Sequence, residues 1–281
     1  PKLAKYSPYL GASYSVVEAL AKITALGADY STCRLSNQEY FERVGDDPKK
    51  WGNPMQALLG LVDAQIAFET PSIGGKDSMS GPSTDIHVPP TLITFAITTQ
   101  KTDSVVSASF KKAGNYVYLV KHEASADHVP NYEQLKDNFK TVHEKMQEGK
   151  IVAASAVKFG GIGYAIAKMA FGNKLGVAIQ SDEDVYGFNT GSLIVEATES
   201  IMDPHFTLLG ILNEEDKIVI NDEVVTIEDA LKAWKERYDD IYPMNVDQGK
   251  ETLDTPLTVK EPVYSKVKVE KPIVVIPIFP G

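Results

Sequence analysis

A single cysteine, Cys33, stands in 281 residues, which excludes an internal disulfide framework and any metal site built on several thiolates. Long apolar runs are missing too: none approaches the ~20 residues that span a bilayer. The N-terminus carries neither signal-peptide nor transit-peptide features. Positive charge is short, with 28 Lys and Arg against 38 Asp and Glu, for a formal net charge of −10. That balance disfavours nucleic acid or an anionic membrane surface as a partner. It leaves room for a local phosphate site, because backbone N–H groups and two or three lysines suffice to build one. No repeat or low-complexity segment stands out. What remains is 43% apolar and 23% charged residues, the composition of a soluble, cytoplasmic globular protein with one large or two ordinary domains.

Both ends read as cut. PKLAKYSPYLGA begins without Met and runs directly into a helix, and KPIVVIPIFPG stops as a strand-like run at a Pro-Gly turn signal. Between them, Ser13 to Leu26 reads as a helix with Val16, Leu20 and Ile23 on one face and Gly27 as its stop. Asn53-Pro54 is a helix start, with Met55, Leu58, Leu59, Val62 and Ile66 as the apolar stripe that follows. Phe68 leads into a glycine-bearing loop, PSIGGKDSMSGP, and residues 91–100 alternate as a strand. A polar connection ending in Ala113-Gly114-Asn115 marks a domain boundary.

The second part restarts with the strand YVYLV and a helix carrying Tyr132, Leu135, Phe139, Val142 and Met146, stopped by Gly149. IVAASAV reads as a strand, and the turn KFGG opens a helix with Ile162, Ile166 and Met169 inward. LGVAI, SLIVEAT and FTLLGIL are further strands. KIVI and EVVTI flank a tight turn at Asn221-Asp222, and Thr226 with Asp229 caps a last helix. The expected organisation is α+β: residues 1–113 and 114–238 as two domains, 239–271 as a surface linker, and 272–281 as the first strand of something further. Cys33 is expected to be a small buried filler. His122, His128 and His143 lack metal-ligand spacing and are assigned to the surface. The acidic groups at 182–184 and 213–216 read as solvated loops, and Trp51 and Trp234 as core or domain-edge anchors.

One segment carries chemistry in its composition. In Gly74-Gly75-Lys76-Asp77-Ser78 two glycines permit close backbone approach, Lys76 supplies charge and Ser78 a hydroxyl, while Asp77 suits a Mg²⁺ ion beside phosphates. It is not a Walker A motif, since the required first glycine falls at Thr70 and the residue after Lys76 is Asp. An ordinary turn between two strands fits the same residues.

PSIGGKDSMS resembles the GKDSMS-type loop in the second half of phosphoribosylformylglycinamidine synthases. SYSVVEALAKITALGADY is similar to the family's AVxEALxNLxAxGA helix. NQEYFERVGDDPKKWGNPMQALLGLVDAQIAFETP, TLITFAITTQ, SFKKAGNYVYLV and IVAASAVKFGGIGYAIAKMAFGNKLGVAI follow in the family's order. IVVIPIFPG resembles the first strand of the glutaminase domain. The resemblance implies an aminoimidazole-ribonucleotide-synthetase-type fold, a partial N-terminal α/β domain followed by an α+β domain. It also implies an ATP- and Mg²⁺-dependent ligase of purine biosynthesis that uses glutamine. In that reaction ATP activates a formamide-type oxygen and ammonia then displaces phosphate. The implied partners are the other domains of the same enzyme, the catalytic half and the glutaminase.

Carried over residue by residue, Gly74 to Ser78 become the phosphate-binding segment, and Glu18 falls on a Glu that helps hold Mg²⁺. Glu18 also fits a capping box with Ser15. The two segments are expected to bracket one cleft. Departures point to a degenerate nucleotide site: Lys22 replaces the family's Asn, and Phe159 and Ala156 stand where HDxSDGG carries its two Asp. The fragment alone is therefore expected to be inactive and auxiliary. A scaffold without nucleotide, or another synthetase of the superfamily, such as aminoimidazole ribonucleotide synthetase, stays open.

Overall fold

The computed structural model describes residues 2–79, 87–243, 269–271, 273 and 275–277. A short helix α1 (Lys2–Tyr6) precedes α2 (Pro8–Ala25), which starts earlier than periodicity alone suggests. Ser7 is the N-cap, its hydroxyl accepting from Leu10 N–H at 3.2 Å, with Pro8 at the first helical position. Ser-Pro is the stronger start, so Ser15 and Glu18 lie mid-helix and form no capping box.

The same signature moves α3. It spans Pro48–Phe68 because Asp47 caps it, accepting from Lys49 N–H at 2.9 Å. Pro54 lies inside the helix, leaving the Lys50 carbonyl without its usual donor. The buried face of α3 is not the large apolar stripe. Met55, Leu58, Leu59, Val62 and Ile66 are all exposed, whereas Ala57, Gly60, Leu61, Ala64 and Phe68 are buried. Small residues win that face because α2 approaches closely: the Ser13 hydroxyl lies 3.3 Å from the Gly60 carbonyl, and Tyr9 donates to Asp63 at 2.7 Å.

Among the described residues a three-stranded sheet, order β2-β1-β3, stands beside this helix pair. β1 (Arg34–Tyr40) is central, parallel to β2 (Ser72–Ser78) and antiparallel to β3 (Thr91–Ile97). The glycine-bearing segment is thus an edge strand, not a loop, exposed along nearly all its length.

The strands change sheets between Ile97 and Tyr116. The second sheet has, among the described residues, seven strands in the order β10-β9-β6-β8-β4-β7-β5. These are β4 (Tyr116–Val120), β5 (Ile151–Ala156), β6 (Gly176–Ile179), β7 (Leu193–Ala197), β8 (Thr207–Asn213), β9 (Lys217–Ile220) and β10 (Glu223–Thr226). All pairings are antiparallel except β6 with β9. Alternation sorts its side chains between two cores. Tyr118, Val120, Ala154 and Val195 pack with α2 and with α4 (Tyr132–Gln147). Val117, Leu119, Ala153 and Ile194 pack with α5 (Gly161–Phe171) and with Ile227 of α6 (Ile227–Glu236). The first core also takes in Leu35 and Leu92 of the small sheet, and residues 1–237 form one compact unit.

Residues 238–281 separate as a second unit, in which the Ile241 and Tyr242 amides both bond to the Tyr238 carbonyl. Of the strand expected over 272–281 only residues 273 and 275–277 are described, exposed and outside any strand, and most of the expected linker lies outside the described residues. Among the described residues no helix is long and apolar enough to cross a membrane.

Cys33 is fully buried, and burial pushes its thiol up to about 11. His122 corrects an expectation: it is buried, its Nδ1 lying 2.9 Å from the Thr190 carbonyl and its Nε2 accepting from Asn131 N–H. Trp51 and Trp234 are half exposed. They are held by Nε1 bonds to the Gly45 carbonyl and the Tyr164 hydroxyl, at 2.9 and 3.1 Å.

His205 ties α4 to the segment before β8. Its Nε2 meets Asp137 at 2.9 Å and its Nδ1 meets Asp203 at 2.6 Å. These bonds, Asp137 first, hold its pKa above the ordinary histidine value despite partial burial. A raised histidine contributes stability that is complete below the unfolded value of ~6.5 and lost as pH rises through the folded value. Thermal melts between pH 5.5 and 9 are expected to show His205→Gln below the parent on the acid side, with the gap closing at alkaline pH. The effect is expected to be modest, because Asp137 lies largely in water. A gap that widens with pH would contradict it.

Candidate nucleotide and phosphate site

β1 and β2 run in register, with Asn37 beside Gly75, Gln38 beside Lys76 and Glu39 beside Asp77. Strand alternation therefore divides the Gly74–Ser78 segment between two faces. On the α2 side, Ser15 and Thr94 hydroxyls pair at 2.7 Å, and Thr94 donates to Asn37 at 2.9 Å. Asp77 belongs to this side and shares a hydrogen bond with Glu39. Burial, then the charge and bond of Asp77, push the Glu39 carboxyl up to about 7.

Lys76 and Ser78 fall on the other face. The Lys76 ammonium stands 5.6 Å from the centre of the Tyr40 ring, whose hydroxyl donates to Gln38 at 2.8 Å. Ile93, Phe95 and Ile97 share this face and are exposed. Gly75 is bare for a reason inside the sheet: a β-carbon there would lie 2.2 Å from the Asn37 carbonyl oxygen. Gly74 faces open space.

Glu18 lies one turn beyond Ser15, and its carboxylate is paired with Lys22 at 2.5 Å. Among the described residues no group of three or more His, Cys, Asp or Glu is placed to hold a metal. With Glu18 engaged by Lys22, the carboxylates left to hold a Mg²⁺ ion here are Glu39 and Asp77, two side-chain ligands for an ion that takes six.

The KFGG turn places Gly160 at φ 101° and Gly161 at φ 71°. The carbonyl of Val185 closes on the start of α5, accepting from Gly163 N–H at 2.9 Å. Phe159 projects into solvent, 68% exposed, with the Lys2 ammonium 4.4 Å from its ring centre. Ala156 is buried at the end of β5. Neither an aromatic ring nor a methyl offers an oxygen donor to a metal. Sequence reasoning missed Glu39, Tyr40 and Lys2. Glu39 and Tyr40 sit in RLSNQEY, whose polar side chains hide a strand, and Lys2 meets Phe159 only through the fold.

No family model matches the chain. It is 26% identical over 266 residues to phosphoribosylformylglycinamidine synthase subunit PurL of Lactobacillus helveticus, covering 82% of this chain and 35% of the relative. The PurLQS structure from Thermotoga maritima aligns at TM-score 0.63 and 16% identity, over 80% of this chain and 42% of that one. T. maritima PurL complexed with ATP aligns at TM-score 0.62 and 14% identity, over 81% and 42%. The chain thus spans about a third of the curated relative's length, and its fold is of the aminoimidazole-ribonucleotide-synthetase-like kind. The match over four-fifths of its length and the shared fold together place this chain among the relatives of phosphoribosylformylglycinamidine synthase subunit PurL.

Proposed function

We propose that the chain is the second synthetase-like half of an ATP-dependent, glutamine-using cytoplasmic ligase. That ligase converts formylglycinamide ribonucleotide to formylglycinamidine ribonucleotide in purine biosynthesis. Residues 1–113 and 114–238 act as its two domains, and 239–281 lead toward a glutaminase. The observation that carries this reading is the PurL match along 82% of the chain. Within the enzyme this half is auxiliary, packed beside a catalytic synthetase half. Nucleotide phosphates are received at β2 by Lys76 and Ser78 from the face that bears Tyr40, with any Mg²⁺ riding on the phosphates. The Lys22–Glu18 pair and the exposed Phe159 support a degenerate site, because both remove carboxylate from where phosphoryl transfer needs it. The separation of Lys76 from Asp77 favours a second reading, a scaffold that binds no nucleotide.

Calorimetry with ADP and Mg²⁺ separates the two. Weak binding is expected, reduced about tenfold by Lys76→Ala through loss of one charge-assisted bond. No binding at all leaves the scaffold, and binding indifferent to Lys76→Ala places the phosphates elsewhere. An assay supplying ATP, formylglycinamide ribonucleotide and ammonia is expected to give no amidine. Ammonia-dependent ADP release with amidine formation, lost in Lys76→Ala or Glu18→Gln, would establish a working active site and overturn the auxiliary role.

A further inference from the structure

The carboxyl end of β1 opens into a cleft of about 280 Å³ whose lining shares no residue with the Tyr40, Lys76 and Ser78 face assigned to nucleotide. Lys5, Phe41, Glu42, Lys50, Asn53 and His87 line it. Its one carboxylate is already shared: Glu42 Oε2 meets Lys50 Nζ at 3.0 Å and His87 Nδ1 at 3.1 Å. Lys50 keeps further N–H donors, since an ammonium has three, and His87 keeps its Nε2. Lys5 has no ion-pair partner among the described residues, and the Asn53 amide makes no side-chain hydrogen bond among them. Two lysines against one glutamate give the cleft a net positive charge, to which His87 adds when protonated. This is unusual in a chain of net charge −10.

We infer that this cleft binds a small phosphorylated metabolite by its phosphate group. Donors converge from α1, from α3 and from the segment before β3, which suits three phosphate oxygens better than the two of a carboxylate. The position beyond the carboxyl end of a parallel strand pair is where open α/β sheets take ligands. The volume points to a small ligand. It lies at the lower end of the ~300–1,000 Å³ usual for small-molecule pockets, which suits a phosphate with a small sugar or acid.

The test is titration of the chain with inorganic phosphate, ribose 5-phosphate and acetate at matched ionic strength, followed by calorimetry. Saturable phosphate binding is expected, tighter for ribose 5-phosphate and absent for acetate. Lys5→Ala and Lys50→Ala are each expected to weaken it about tenfold, one charge-assisted bond apiece. Lys76→Ala should leave it unchanged, which separates this cleft from the nucleotide assignment at β2. Glu42→Gln should tighten it by freeing Lys50 and His87, a gain that damage to the fold would not produce. Acetate binding as well as phosphate, affinity indifferent to Lys5 and Lys50, or loss on Lys76→Ala would each overturn the inference.

Discussion

Replacing Glu196 by alanine is expected to destabilise the protein by about 3–5 kcal/mol, the range for stripping one partner from a buried charged network. Glu196 lies mid-strand in β7 and is fully buried. Its carboxylate accepts from Lys111 N–H at 2.7 Å, Lys112 N–H at 3.1 Å and Asn115 Nδ2 at 2.6 Å. These three donors belong to the segment that crosses from the small sheet to β4. Burial raises the carboxyl pKa even against their pull, a sign that the group is costly unless satisfied. Alanine leaves two backbone N–H groups and an amide without acceptors, besides opening a cavity. Glu196→Gln keeps the shape and one acceptor oxygen, so its loss should be intermediate. Urea midpoints read both, and a Glu196→Ala loss below about 1 kcal/mol would mean that water replaces the carboxylate.

The sequence was most legible where capping and alternation agree. Thr226 with Asp229 does cap α6, its hydroxyl accepting from Asp229 N–H at 3.0 Å. Asn221 does adopt the left-handed turn conformation, at φ 53°, between β9 and β10. Val117 to Val120 alternate between two cores, as a strand buried on both faces must. Legibility failed where packing distance mattered more than hydrophobicity. In α3 the stripe of Met55, Leu58, Leu59, Val62 and Ile66 outweighs Ala57, Gly60 and Ala64 on any hydropathy measure. Yet the small residues face α2, because only they admit its backbone. β2 failed differently. Gly74-Gly75 signals a loop when read locally, but an edge strand tolerates glycine where a neighbouring carbonyl crowds the chain. The candidate site was legible as residue types and not as geometry. Consecutive residues of a strand point to opposite faces, so Lys76 and Asp77, adjacent in sequence, do not share a site surface. Glu39, the carboxyl that Asp77 does meet, comes from a strand distant in sequence.

Gly60→Ala is expected to destabilise the protein by about 2 kcal/mol, although alanine is the better helix former by about 1 kcal/mol. Gly60 sits in the buried face of α3. A β-carbon there would lie 2.2 Å from the Tyr9 carbonyl oxygen, 2.9 Å from its carbon and 3.1 Å from the Ser13 hydroxyl. The nearest obstruction is backbone, so no rotamer change relieves it, and α2 and α3 must move apart. Separation weakens the Ser13 hydroxyl contact to the Gly60 carbonyl, the Tyr9–Asp63 bond and the packing of Ala57, Leu61 and Ala64 together. Gly52 supplies the control within the same helix. Nothing lies within 4 Å of a β-carbon there. Gly52→Ala should therefore collect the helix-propensity gain and stabilise by up to about 1 kcal/mol. The paired measurement of thermal midpoints has a sign as its outcome. Opposite shifts locate the effect in the α2–α3 contact, whereas a stabilising Gly60→Ala would show that the two helices have room to spare and that something other than close approach keeps the small residues on that face.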